Sequence, residues 1–271
     1  MSSPPPPDGG FDPAAYALYV KTVQGGALKG LFECLSHVLH DCNVAWEPDE
    51  GMCLLTMDNN KCALVFLKLE AANFDEFHCG APLVTGVNMS NVCKLLKTAS
   101  TRDCITLYVE HAAPDELGIA IHNSDKNAVT NYTLKLLDCD ARNYKLPDIT
   151  FDRILTLPST YFQRLCRDMH QLGDHVTIGI IGSSLRMRCE GTFASQTTVI
   201  GEHDSCMTIE SSTGGDVEDV FSLRYLCTFT RASGLCATVQ LLLKADYPIV
   251  LSYNVASLGT LRFCLAGRAD A

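Results

Sequence analysis

The sequence predicts a strand-rich α+β fold of two similar domains, each with two helices set on antiparallel sheets. Three observations carry this: short runs with an apolar period of two recur throughout, helical patterns are few and short, and the order of strands and helices in the first half returns in the second. With 271 residues, 47% apolar and 19% charged, the chain can hold two medium domains or one large one around a buried core, and its low charge fits strand better than a solvated helical array.

Residues 1–13 are rich in Ser, Pro, Asp and Gly, with four prolines from Pro4 to Pro7, and read as a polyproline-type tail; residues 1–17 are assigned to this flexible segment. The N-terminal domain is placed at 18–137. Within it a strand precedes a helix beginning near Gly26, strands that include 63–69 lead to Val87, and a helix over 89–99 follows. Strands at 104–110, 117–122 and 132–137 complete it. Residues 138–147 form the connector, and the C-terminal domain at 148–268 repeats the plan. A strand at 153–157 enters a helix at Ser159, strands at 176–181 and 185–189 follow, and another strand runs into a helix at Arg224. Strands at 238–244, 249–255 and 261–265 close the chain.

The helix starting at Ser159 has a start signal in Pro158 and Ser159, whose hydroxyl is expected to cap the free amides. Phe162, Leu165, Met169 and Leu172 recur at three or four residues and form its core stripe, while Arg164, Arg167 and His170 share a different face. In the second helix Val92, Leu95 and Leu96 point inward, and Lys94 and Lys97 lie three apart on one side. Arg224 and Arg231 are two helical turns apart in the fourth helix. The first helix is the weakest, with Lys29 offset by Glu33 and with His37 and His40 farther along.

Charge is segregated. The four helical segments, 26–41, 89–99, 159–172 and 223–232, contain seven basic residues and three acidic ones; the rest of the chain has 14 basic and 28 acidic. An exposed helix in an acidic protein ordinarily carries acids for i,i+4 pairing, and the second and fourth have none. Positive helices on an acidic background point to a polyanion-binding surface.

Other chemistry is poorly supported. The chain has no Gly-x-x-x-x-Gly-Lys loop, no Gly-x-Ser-x-Gly elbow and no His-Glu-x-x-His helix, and Asp168 and Asp174 around His170 read as pairing and capping residues. No catalytic residue is assigned. The 14 cysteines lack any Cys-x-x-Cys spacing and sit mostly in apolar runs, as expected of small hydrophobes in a reducing compartment. Cys34, His37, His40 and Cys42 are the best metal candidates, yet their spacing fits no common zinc module, so neither metal nor cofactor is expected. No basic segment precedes an apolar stretch and no membrane-length apolar run occurs, which predicts an intracellular protein without a signal peptide or span.

Several ordered segments together resemble the proliferating cell nuclear antigen family, the eukaryotic-type sliding clamps. They are Val23-Gln24-Gly25 before Leu28-Lys29, Met57-Asp58, Gly86-Val87-Asn88-Met89, the helix with Lys94 to Lys97, Tyr132 to Asp140, Phe162 to Asp174, and Leu223-Arg224-Tyr225-Leu226. The resemblance implies the DNA clamp fold and a DNA polymerase processivity factor that is not an enzyme. It implies a homotrimeric ring whose helices face sequence-independent double-stranded DNA through Lys29, Lys94, Lys97, Arg164, Arg167, Arg224 and Arg231. It also implies a pocket at Met57, Leu64, Tyr144, Leu146, Pro147, Pro248 and Ala266 for the short helical motif of polymerases, ligases and nucleases. A clamp loader is a further implied partner, and no membrane partner is expected. Ring closure by strand edges is expected at Tyr132, Leu134, Thr197 and Val199, with Thr130 nearby. A checkpoint-type heterotrimer subunit, or a monomeric or dimeric viral processivity factor of the same fold, is the alternative, and the site of action is the nucleus or a viral replication site. This chain departs from the family pattern at Gly30 for a basic residue, Cys264 for an aromatic, Gly267 for a proline and Gly182 for a regulatory lysine.

Overall fold

The computed structural model describes residues 12–58, 60–123, 125–139, 149–203, 207–211 and 215–267. In chain order the first elements are β1 (Tyr16–Thr22), α1 (Gly25–Leu35), β2 (Asp41–Glu47), β3 (Gly51–Met57), β4 (Ala63–Glu70), β5 (Glu76–Cys79), β6 (Leu83–Asn88), α2 (Met89–Leu96), β7 (Cys104–Glu110), β8 (Glu116–Asn123) and β9 (Ala128–Lys135). They are followed by β10 (Arg153–Pro158), α3 (Ser159–His170), β11 (His175–Ile181), β12 (Ser184–Glu190), β13 (Ser195–Gly201), β14 (Thr208–Ser211), β15 (Val217–Ser222), α4 (Leu223–Phe229), β16 (Thr238–Leu243), β17 (Ile249–Val255) and β18 (Gly259–Leu265).

The described residues divide into two compact units. The first takes those within Met1–Leu54, Leu67–Asn143 and Val255–Thr260; the second takes those within Leu55–Phe66, Tyr144–Asn254 and Leu261–Ala271.

In the first unit an antiparallel sheet has the order β5-β1-β7-β8-β9, and β2 pairs with both β6 and β3. Leu28, Leu31 and Leu35 of α1 and Val92 and Leu96 of α2 are buried, which follows from their three- and four-residue spacing. Phe32, Trp46, Val87, Val92, Leu107 and Leu117 surround an interior void of only about 10 Å³, so helices and both groups of strands share one close-packed core. The Trp46 indole donates to Thr85 Oγ1 at 2.9 Å, which satisfies its buried N–H. Tyr108 lies opposite Gly118, where a Cβ would come within 2.2 Å of the phenol ring, so the ring occupies the space that a side chain would need.

In the second unit one antiparallel sheet runs β13-β12-β11-β15, and the other runs β14-β10-β16-β17-β18 and then the first half of β4. Along β12, Leu185, Met187 and Cys189 are fully buried while Arg186, Arg188 and Glu190 are exposed, the alternation their period of two predicts. Phe162, Leu165, Cys166 and Met169 form the buried stripe of α3. Phe229 of α4 stacks on Phe263 of β18 with ring centroids 4.6 Å apart.

Three helical expectations change. The first helix stops at Leu35 instead of reaching residue 41; a turn through His37 follows, and Asp41 already pairs with Asn88 in the β2–β6 ladder. The fourth helix ends at Phe229 and tightens into a 3₁₀ segment, Thr230–Gly234, that contains Arg231, so Arg224 and Arg231 do not share an α-helical stripe. Hydroxyls provide the reason: Thr228 Oγ1 donates to the Arg224 carbonyl and Thr230 Oγ1 to the Cys227 carbonyl, competing with continued α-helical bonding. Ser159 is not the cap of α3, because it is the first helical residue, its buried hydroxyl has no hydrogen-bond partner among the described residues, and its amide bonds to the Ala237 carbonyl across the sheet.

Candidate nucleic-acid interface and peptide pocket

The basic side chains follow from how each helix buries its apolar stripe. With Met89, Val92, Cys93 and Leu96 of α2 turned inward, Lys94 and the C-cap residue Lys97 are left exposed. Asn88 starts α2 by accepting the Asn91 amide at 3.0 Å, and its own amide donates to Asp41 Oδ1 at 2.6 Å. Lys29 behaves differently from the other six. It is half-buried, and its ammonium donates to the carbonyls of Lys97 and Ala99 at 3.0 and 2.7 Å, where the C-terminal end of α2 leaves carbonyls unsatisfied.

In the second unit Arg164, Arg167 and Arg224 are exposed, and Arg164 lies 5.3 Å from the centre of the Tyr161 ring, a cation–π distance. Arg167 of α3 and Arg231, exposed on the 3₁₀ segment after α4, both act on the Cys227 thiol. Burial pushes that thiol up while the two guanidiniums oppose it. Among the described residues Lys94, Lys97, Arg164, Arg167 and Arg224 form no ion pair. Their charge is therefore not neutralised by a neighbouring carboxylate, and each unit presents cations that phosphates can reach.

The second unit also contains a cavity of about 260 Å³, whose lining includes Met57, Leu64, Pro248 and Ala266 from the expected pocket set. Tyr144, Leu146 and Pro147 lie outside the described residues. Lys61, Cys62, Ile149, Phe151, Tyr247, Val250 and Arg262 also line the cavity and were not among the residues expected there, and Cys264 was expected only as a departure from the family pattern. Phe151 and Tyr247 meet edge to face with centroids 6.1 Å apart and form an aromatic wall. The signal available for them was an aromatic next to a strand start in Phe151-Asp152-Arg153 and Tyr247-Pro248-Ile249. Burial pushes the Cys264 thiol up to about 11, opposed by Arg262, so it is a neutral group on the cavity wall. An apolar recess with an aromatic side and two cations, Lys61 and Arg262, in its lining suits an amphipathic helix.

The remaining expected residues lie on sheet edges. Tyr132 and Leu134 are half-buried on β9, the outer strand of the first unit's five-stranded sheet, and Tyr132 donates to Thr98 Oγ1 at 3.1 Å. Thr197 and Val199 are exposed on β13, the outer strand of the second unit's four-stranded sheet. Gly182 occupies a turn at φ 61°, with its amide bonded to Asp216 Oδ1 at 3.0 Å. Cys34, His37, His40 and Cys42 do not gather: no group of three or more His, Cys, Asp or Glu among the described residues could hold a metal ion. No described helix is long and apolar enough to cross a membrane.

Comparison with known proteins agrees with this architecture. Residues 17–144 match the family model "Proliferating cell nuclear antigen, N-terminal domain", and residues 145–268 match "Proliferating cell nuclear antigen, C-terminal domain". The chain is also 37% identical over 252 residues, 92% of its length and 95% of the relative's, to the probable DNA polymerase sliding clamp 1 of Paramecium bursaria Chlorella virus 1. The chain therefore belongs to the proliferating cell nuclear antigen family of DNA sliding clamps, the non-catalytic processivity factors of DNA polymerases.

Proposed function

We propose that this chain forms a homotrimeric ring around duplex DNA and tethers replication and repair enzymes to it without chemistry of its own. The carrying observation is the set of exposed cations without acidic partners among the described residues, Lys94, Lys97, Arg164, Arg167 and Arg224. Phosphate attraction by long side chains is independent of sequence, which suits a protein that slides. Arg231, exposed on the 3₁₀ segment after α4, adds a further positive charge, and Lys29 contributes indirectly by holding the end of α2 that carries Lys97.

Edge pairing between β9 of one copy and β13 of the next closes the ring, with Tyr132, Leu134, Thr197 and Val199 at the contact. Both strands end their sheets, which supports the reading. The cavity at Met57, Leu64, Pro248 and Ala266 takes a short helical motif from polymerase, ligase or nuclease. The Chlorella virus relative's description as a probable DNA polymerase sliding clamp supports polymerase as a partner. The protein then acts wherever DNA is copied, in a nucleus or at viral replication sites, and a clamp loader opens the ring.

Light scattering and retention on DNA test this. The mass should be three times the 29.5 kDa of one chain, and protein loaded on a nicked circular duplex should resist high salt until the circle is linearised. A monomeric mass, or equal loss from circular and linear DNA, contradicts the ring.

A further inference from the structure

The loop after β3 is organised around one carboxylate. Asp58 is 7% exposed and accepts hydrogen bonds from the amides of Cys62 and Ala63 at 2.8 Å each and from the Asn60 amide at 3.2 Å. Its own amide bonds to the Ala63 carbonyl, its carbonyl accepts the Lys61 amide, and Lys61 sits at φ 59°, a backbone conformation that a non-glycine residue adopts only when surrounding bonds hold it. The final donor comes from far along the chain. The Tyr225 hydroxyl of α4 donates to Asp58 Oδ2 at 2.8 Å and accepts from Asn60 Nδ2 at 3.0 Å. Burial and the facing carboxylate push that phenol up to about 12, so it remains a donor at physiological pH.

This loop is also a wall of the cavity, to which Met57, Lys61, Cys62 and Leu64 all contribute. Tyr225 itself does not line the cavity. We infer that Tyr225 is a positioning residue for the peptide pocket: its hydroxyl fixes the Asp58-centred loop, and the loop presents Met57, Lys61 and Cys62 to an incoming helical peptide. Tyr225 follows Arg224 in sequence, so the same helix carries a proposed phosphate contact and the pin of the pocket wall. The inference rests on the reading of the cavity as a peptide site.

The test uses the full chain and a fluorescein-labelled peptide carrying one aliphatic and two aromatic anchors at i, i+3 and i+4, read by fluorescence anisotropy. Val250→Asp, which puts a charge on the cavity wall, tests the pocket reading alone and should abolish binding. Tyr225→Phe should weaken binding by about five- to tenfold, Asp58→Asn should do likewise, and the double variant should be no weaker than the worse single variant. Hydrogen exchange supplies a readout independent of the peptide: in Tyr225→Phe the Cys62 and Ala63 amides should exchange faster while β17 amides remain protected. Tyr225→Phe that binds as wild type while Val250→Asp does not overturns the positioning role. A wild-type chain that does not bind, or Val250→Asp that binds normally, overturns the pocket reading and this inference with it. If Tyr225→Phe loses protection throughout the chain, Asn60→Ala replaces it, with weakened binding expected and wild-type binding contrary to the inference.

Discussion

The Lys29 ammonium is bonded to the Lys97 carbonyl, 3.0 Å away, so a cation of the first helix closes the end of the second. The same ammonium holds the Ala99 carbonyl at 2.7 Å. Lys29→Met should lower stability by about 1 kcal/mol in denaturant titration, because charged hydrogen bonds to otherwise orphaned carbonyls are lost. Its effect on the salt dependence of DNA binding should be smaller than that of Lys97→Met, whose side chain has no such bond. Full stability with a larger loss of DNA affinity would reverse this assignment.

Acid sensitivity should have a local source at Asp103. The group is buried, which pushes its carboxyl up, but bonds from the Ser100 hydroxyl at 2.6 Å, the Ser100 amide at 2.8 Å and Asn123 Nδ2 at 2.8 Å carry it below the ordinary value. A carboxyl with a lowered folded-state pKa contributes stability that is complete above its unfolded value, about 3.9, and is lost as pH falls through the folded one. Asp103→Asn should flatten the stability curve below about pH 4. An unchanged slope there would place the acid sensitivity elsewhere.

The Cys264 thiol offers a chemical probe of the cavity. With burial holding it at about 11, its alkylation by iodoacetamide should be slow at neutral pH, rise toward pH 11, and be blocked by bound peptide. Rapid labelling at neutral pH, or labelling indifferent to peptide, would show that this wall is not the one that the peptide covers.

Much of this fold was legible because its signals are local. The α3 stripe of Phe162, Leu165 and Met169 and the β12 alternation of Leu185, Met187 and Cys189 both follow from spacing alone. The exposure of Lys94, Arg164 and Arg167 was legible for the same reason, since an amphipathic helix states which side faces out. What was missed depends on distant partners. Ser159 looks like a cap, yet the Ala237 carbonyl takes its amide. Lys29 looks like a free surface cation, yet carbonyls nearly seventy residues away hold it. Phe151 and Tyr247 reach one cavity with Met57 only because Leu55–Phe66 folds with the second unit.

The exposed Val199 on β13, with 60% of its surface accessible, should lie in a subunit contact. Val199→Lys is expected to shift the light-scattering mass from trimer toward monomer at micromolar concentration, since a charge on an unpaired edge opposes strand addition. A trimer that forms as tightly as wild type would remove β13 from the ring contact.

The central claim, that exposed cations of α2 and α3 hold duplex DNA, is tested most directly by reversing Lys94, Lys97, Arg164 and Arg167 to Glu and measuring stimulation of polymerase on a primed circular template. The account predicts that stimulation is lost while the circular dichroism spectrum and peptide affinity remain those of wild type. Undiminished stimulation by this variant would contradict it.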